Sequence, residues 1–533
     1  MESKYLLKFL FIFLILFSSN SYSKTPKDQL IIGMSMNNIF TIDPAAMASN
    51  DTVSIISNLY DSLIELDATD RTKILPAIAK SWDISEDSSK ITFHLRNDVK
   101  FNSGNPLTAE DVVWSIERLL KLNLSQSTFW KTYGFSAKNI SQLVKSTDNF
   151  TIEITLPQAT DPKLVMYSIG ALGSMSILDK NEILKHEQDN DLGNKWLTTN
   201  AAGSGAYYLT KWEAKNMLIM ARNEHYWKGT PKMKRIIMRH MTESQSLRLM
   251  MEKGDIDIAS GMSVPDIKAL SNNPNITIES VQRGTLYYVA LSNKNKYFAN
   301  PKVREAIRYL IDYQGINATI MPGFGILHQR PIQKGMPATL PDQGYTLNVE
   351  KAKKLLSEAG YPDGFDTTIR VLSDTPFIDI ATTIQATLVQ AGIKAKVIAG
   401  TGNQIYGAMR ERNFDIVVGR GGGGVEPHPH ANLRSMVYNP DNSDEAKLTP
   451  YIGWRSSFYD DKLNKMIETA LIERNETKQT QLYKDIQNYY DELFPAVITI
   501  SQMIDSVAVQ KDILNYKSHP SATTRYYLVE KNR

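Results

Sequence analysis

Val349-Glu350-Lys351-Ala352-Lys353-Lys354-Leu355-Leu356-Ser357-Glu358-Ala359-Gly360-Tyr361-Pro362-Asp363-Gly364 reads as a helix and its stop. Ala352, Leu355, Leu356 and Ala359 share one face, Gly360 ends the pattern, and Pro362 bars its continuation. Asp363-Gly364 then turns the chain into a strand over Thr367–Leu372. A second helix is predicted over Ile378–Gln390, ended by Gly392, and Ile393, Ala395 and Val397 alternate as the strand after it. Helix and strand in alternation define an α/β fold.

The same grammar extends toward the N-terminus. Leu30–Met34 reads as a strand, and Val53–Leu63 carries apolar residues at helical spacing. Ile91-Thr92-Phe93-His94-Leu95 alternates as a strand and leads through Asn102-Ser103-Gly104-Asn105-Pro106 to Thr108, a helix cap with Asp111 three residues on. Val112, Ile116, Leu119 and Leu120 supply that helix's buried face. No internal repeat occurs, and Gly421-Gly422-Gly423-Gly424 is the only low-complexity stretch. No Pro/Gly/Ser linker divides the chain, which fits domains assembled from discontinuous segments.

The 533 residues suit two to four domains with a large core. With 42% hydrophobic and 22% charged residues, 29 Gly and 22 Pro, the composition is that of a globular protein. Sixty Lys+Arg against 57 Asp+Glu leave +3, without the basic excess that would make nucleic acid the main partner. The absence of cysteine excludes disulfides, thiolate metal sites and Cys nucleophiles.

Lys4 and Lys8 precede the nine-residue apolar run Phe9–Phe17, and small residues around Ser21 and Ser23 follow it. This is the pattern of a secretory signal peptide over residues 1–23, cut after Ser23. Nine residues are too short for a membrane span, so an uncleaved anchor is the lesser reading. No Cys follows the run to receive a lipid, so the expected product is a soluble periplasmic protein beginning at Lys24 and not a lipoprotein.

Catalytic signatures are missing. The chain has no Gly-x-Ser-x-Gly elbow, no Gly-x-x-x-x-Gly-Lys-Ser/Thr loop and no His-Glu-x-x-His helix. A secreted hydrolase is therefore disfavoured, and the glycine run lacks the following Lys that a phosphate cradle needs. His428 and His430, with Glu426, form the one local cluster of metal-ligand character. The prolines between them hold the backbone extended, and a polar loop at the mouth of a cleft is the preferred reading.

Ala79-Lys80-Ser81-Trp82, followed by the unbroken block from Ile91 to Val112, resembles the signature of the family 5 extracytoplasmic solute-binding proteins. These are the dipeptide-, oligopeptide- and nickel-binding partners of ABC importers. The likeness continues through Gly203-Ser204-Gly205-Ala206-Tyr207-Tyr208-Leu209, Asn223–Gly229, Lys253–Asp257, Val303–Ile307 and Ala352–Tyr361, in the family's order. Trp82, Tyr207 and Trp227 are read as fold-marking residues that do not touch ligand.

The resemblance implies a two-lobed periplasmic binding protein fold with an extra domain in the larger lobe and a hinge between lobes. Residues 24–70, 200–288 and 497–533 would form the core of lobe 1, 71–199 its extra domain and 289–496 lobe 2. The crossovers would fall near Tyr287–Leu291 and Ala496–Ile500. The implied function is delivery of a peptide or peptide-like solute to an ABC permease and ATPase complex in the inner membrane, by a monomer with no cofactor and no catalytic step. A metal or metal chelate such as nickel is the alternative cargo.

The chain departs from its relatives where ligand chemistry is expected. The Asp that pairs with a ligand amino group in peptide-binding members falls by position on Gly423, so Glu426 is the candidate replacement. Val371–Pro376 lacks the Arg that dipeptide binders use for the ligand carboxylate, leaving Ser373 and Asp374 as cleft candidates. Arg420 and Arg455, the latter beside Trp454, remain as possible anion partners, although a solvated surface is the commoner fate of an Arg.

Overall fold

The computed structural model describes residues 25–47, 49–70, 72–170, 174–423 and 426–533. The predicted signal peptide lies outside the described residues.

One eleven-stranded sheet runs through both lobes. Its order is Lys394–Gly400, Asp366–Leu372, Ile416–Gly422, Ile276–Leu291, Val497–Gln510, Ile258–Ser260, Gln29–Met34, Arg235–His240, Met217–Arg222 and Tyr207–Glu213, with Gly325–Leu327 paired to Val497–Gln510 off this path. The two central strands cross between lobes. Ile276–Leu291 joins the second lobe by pairing Thr285–Leu291 with Ile416–Gly422, and Val497–Gln510 joins the first by pairing Val507–Val509 with Ile258–Ser260. They pair with each other antiparallel for most of their length, and the register slips between Gln282 and Leu286. Leu286–Leu291 lies between two neighbours and is buried on both faces, which is why its sequence is a continuous apolar run.

The local grammar holds in the second lobe. Helix Val349–Glu358 ends at Ala359 before Gly360, whose φ of 90° closes the turn, and strand Asp366–Leu372, helix Phe377–Val389 and strand Lys394–Gly400 follow. In the first half, Asp111 accepts 2.9 Å hydrogen bonds from the amide and hydroxyl of Thr108 at the head of helix Ala109–Leu122. A separate antiparallel sheet, in the order Ala79–Ile84, Lys90–Leu95, Thr151–Thr155, Val144–Asp148, backs this helix.

The helix predicted over Val53–Leu63 instead spans Asn50–Leu59. Its end is set from afar. The amide of Gly205 bonds the Leu59 carbonyl at 3.1 Å, and buried Asp61 accepts hydrogen bonds from Ser204, Tyr226 and Trp227. A Cβ on Gly205 would stand 2.5 Å from the Asn58 carbonyl oxygen, so this close approach needs glycine. The fold-marking block around Gly203–Tyr207 thereby acquires its physical reason.

Three large cores support these layers. One runs from Leu286 to Ile500, one joins Leu30–Tyr60 with Leu178–Ile258 and Val507–Val529, and one spans Ala45–Ile177. Leu178, Ile183 and Leu197 lie within the 71–199 stretch but pack against the second of these cores, beside Leu30. Among the described residues no helix is long and apolar enough to cross a membrane.

Candidate ligand-binding cleft

A cavity of about 420 Å³ opens between the lobes and is lined by both, a size in the range of small-molecule sites, roughly 300–1,000 Å³. Its walls come from strand ends of the crossing sheet and from the helices Asn50–Leu59 and Phe377–Val389 beside them. From the first lobe come Met34, Asp51, Ser54, Ser260 and Met262; from the second, Asp374, Phe377 and Arg420; from the crossing strands, Arg283, Tyr287 and Asp505.

The cleft is charged on both sides. Arg283 and Asp505 pair at 2.6 Å, and Arg283 also bonds the Pro520 carbonyl, so this pair is largely self-contained. Arg420 stands opposite Tyr287 in the strand register, and its guanidinium lies 5.7 Å from the Phe377 ring centre. Burial pushes the Tyr287 hydroxyl up to about 12, so it stays protonated beside Arg420. Among the described residues, Arg420, Asp51 and Asp374 have no ion-pair partner. Burial and the charge of Asp505 hold the Asp51 carboxyl above its ordinary range, against the pull of Asn38 and Arg283.

Of the residues singled out from sequence, Asp374 and Arg420 line this cavity. Ser373 is exposed next to it, with its hydroxyl on the Gly400 carbonyl at 3.2 Å. The structure places the others away from it. Glu426, the candidate replacement for the amino-pairing Asp, is fully buried against the 71–199 segment. It accepts hydrogen bonds from Tyr133 at 2.9 Å and Ser168 at 2.6 Å, and pairs with Arg434 at 2.9 Å. Gly423 has no room for the missing Asp, because a Cβ there would sit 2.8 Å from that of Ala431 and closer still to the Asn432 amide oxygen. Gly422, at φ 138°, would bring a Cβ within 2.9 Å of the Gly284 carbonyl, so the glycine run serves close backbone packing.

Trp454 is buried, donates to the Ser443 carbonyl and carries the Arg412 guanidinium 4.6 Å from its ring centre. Arg455 donates to the Thr449 carbonyl, and neither it nor Trp454 lines the cavity. His428 and His430 also lie away from it. The Nδ1 of His428 accepts the His430 amide, its Nε2 is 3.6 Å from Asp161, and both rings pack on Tyr483. Burial, followed by the charges of Arg434 and His428, holds the His430 imidazole well below its ordinary range. Among the described residues no group of three His, Cys, Asp or Glu side chains is placed to hold a metal ion.

Asp51, Arg283 and Asp505 were missed in sequence. For the last two a signal existed, since they flank predicted crossovers; Asp51, in the first turn of a helix, carried none beyond favouring that helix's positive end.

The family of bacterial extracellular solute-binding proteins, family 5 Middle, matches residues 73–444. The chain belongs to that family. This family 5 protein is 27% identical over 507 residues to the probable D,D-dipeptide-binding periplasmic protein DdpA of Escherichia coli K12, covering 94% of this chain and 93% of the relative. HbpA2 of Haemophilus parasuis superposes with a TM-score of 0.79 at 22% identity, covering 95% of this chain and 100% of that one. The periplasmic binding protein DppA of Helicobacter pylori, solved with the peptide STSA, gives 0.76 at 24% identity over 95% and 98%. These structures share the two-lobed fold.

Proposed function

We propose that this family 5 protein captures a peptide or peptide-like solute in the periplasm and delivers it to the permease and ATPase complex of an ABC importer. The observation that carries this reading is the charged cavity of about 420 Å³ walled by two lobes that share two long paired strands. Closure of such a cleft removes water from the ligand, strengthens each polar contact, and presents a distinct shape to a permease. The relatives' names support peptide as the cargo. In this reading the chain is a monomer and does no chemistry on its ligand. It is exported with cleavage after Ser23 and carries no lipid. Its lobes follow the division 24–70, 200–288 and 497–533, with 71–199 as the extra domain, and 289–496.

Mass analysis of protein purified without denaturation tests the reading. A co-purifying peptide is expected, whereas a nickel complex or turnover of a peptide would overturn it. N-terminal sequencing of the exported chain should begin at Lys24, and recovery of the full-length chain in membranes would refute cleavage. The metal alternative gains nothing from His428 and His430, which stand outside the cavity.

A further inference from the structure

The peptide-binding reading leaves open how charge is received, and the cleft walls carry that further. The second lobe offers no carboxylate at Gly423, because Asn432 and Ala431 fill the space an Asp would need. Glu426 is consumed by Tyr133, Ser168 and Arg434. What the second lobe does present is a cation, the exposed Arg420, without an ion-pair partner among the described residues, opposite Tyr287 in the strand register and with its guanidinium 5.7 Å from the Phe377 ring centre. The first lobe presents the opposite sign. Asp505 is neutralised by Arg283, so Asp51 is that lobe's uncompensated carboxylate in the cavity. Asp374 adds an exposed acid on the second wall.

Counting Asp51, Asp374 and Asp505 against Arg283 and Arg420, the described lining of the cavity is acidic by one charge. A solute with two unbalanced anionic groups is therefore repelled. A burial cost already sits on the Asp51 carboxylate, and an arriving ammonium would offset it.

We infer that the ligand is a dipolar solute of neutral or single positive net charge, its ammonium received by Asp51 of the first lobe and its carboxylate by Arg420 of the second. This polarity rests on the peptide-binding reading. It is the reverse of an amine held by the second lobe at the glycine run.

Calorimetry with alanyl-alanine, N-acetyl-alanyl-alanine and alanyl-alanine amide, on the wild type and on Asp51→Asn and Arg420→Gln, tests it, with thermal melts as fold controls. Asp51→Asn should weaken alanyl-alanine at least tenfold and leave the acetylated probe, which has no ammonium, unchanged relative to wild type. Arg420→Gln should weaken alanyl-alanine and the acetylated probe alike while leaving the amide unchanged. Tight wild-type binding that neither substitution alters overturns the charge assignment and leaves the peptide reading standing. Equal losses for all three probes in either variant, with unchanged melting, also overturn it. Failure of the wild type to bind any of the three overturns both the assignment and the dipeptide form of the reading.

Discussion

Glu426 is held by three donors from three different elements, and its carboxylate has no exposed surface. Burial and the Glu426 charge push the Tyr133 hydroxyl above its ordinary range, so it remains a donor. Removing the charge strands Arg434 in a buried site. Glu426→Gln is therefore expected to destabilise the fold by about 3–5 kcal/mol, as loss of one member of a buried pair does, and to leave the affinity of the folded fraction for amines unchanged. A melt combined with calorimetry reads both. A selective loss of amine affinity without a drop in melting temperature would return Glu426 to the ligand site. Gly423→Asp makes the complementary prediction. Instead of restoring an amine partner it should overpack against Asn432 and Ala431, costing about 1–3 kcal/mol, with no gain in dipeptide affinity by calorimetry.

At the scale of elements, the 71–199 segment is tied to both lobes. Arg118, on helix Ala109–Leu122, forms a fully buried bidentate pair with Asp43 of the first lobe at 3.1 and 2.6 Å. On its other side, Tyr133, Asp161 and Ser168 meet Glu426, His428, Arg434 and Gln479 of the second. Tyr133→Phe with Ser168→Ala removes two of Glu426's donors while keeping its ion pair, at a cost of about 1 kcal/mol for each hydrogen bond. The double variant should give a larger ligand-free radius by small-angle scattering than wild type; an equal radius would mean that these contacts do not hold the lobes together.

Helix Pro429–Met436 adds a pH response. His430 faces His428, Arg434 and Tyr483, with Asp161 behind His428, and stays neutral when folded. The unfolded chain takes up a proton below about 6.5, so stability present above that pH falls by up to about 1.4 kcal/mol per pH unit below it. Asp161 is held below its ordinary range: burial opposes this, but the hydrogen bond and charge of His428 prevail. Its own contribution is lost only under about pH 4. Denaturant melts between pH 6.5 and 4.5 should therefore show a shallower acid loss in His430→Gln than in wild type. Parallel slopes would refute the assignment.

Across the whole molecule, the shared eleven-stranded sheet joins the lobes, with its irregular point beside the cleft. Arg283 lies inside the register slip between Gln282 and Leu286 and reaches Asp505 through its side chain, and the first lobe's pairing gives way to the second's over the same few residues. Bending there would change the cavity while leaving both cores packed. Scattering should show a smaller radius with saturating ligand than without it, and an unchanged radius would leave closure unsupported.

The sequence by itself determined the α/β class, the caps at Thr108 and Gly360, the apolar crossovers and the family. Each is written in residues close along the chain, as periodicity, turn chemistry or contiguous blocks. The tertiary structure alone decided which charges line the cavity. Glu426 meets Tyr133 across 293 residues and Arg283 meets Asp505 across 222, and no local spacing records such pairs. The glycine run was legible as an absence of carboxylate but not as a packing surface, because only folding brings Asn432 and the Gly284 carbonyl against it.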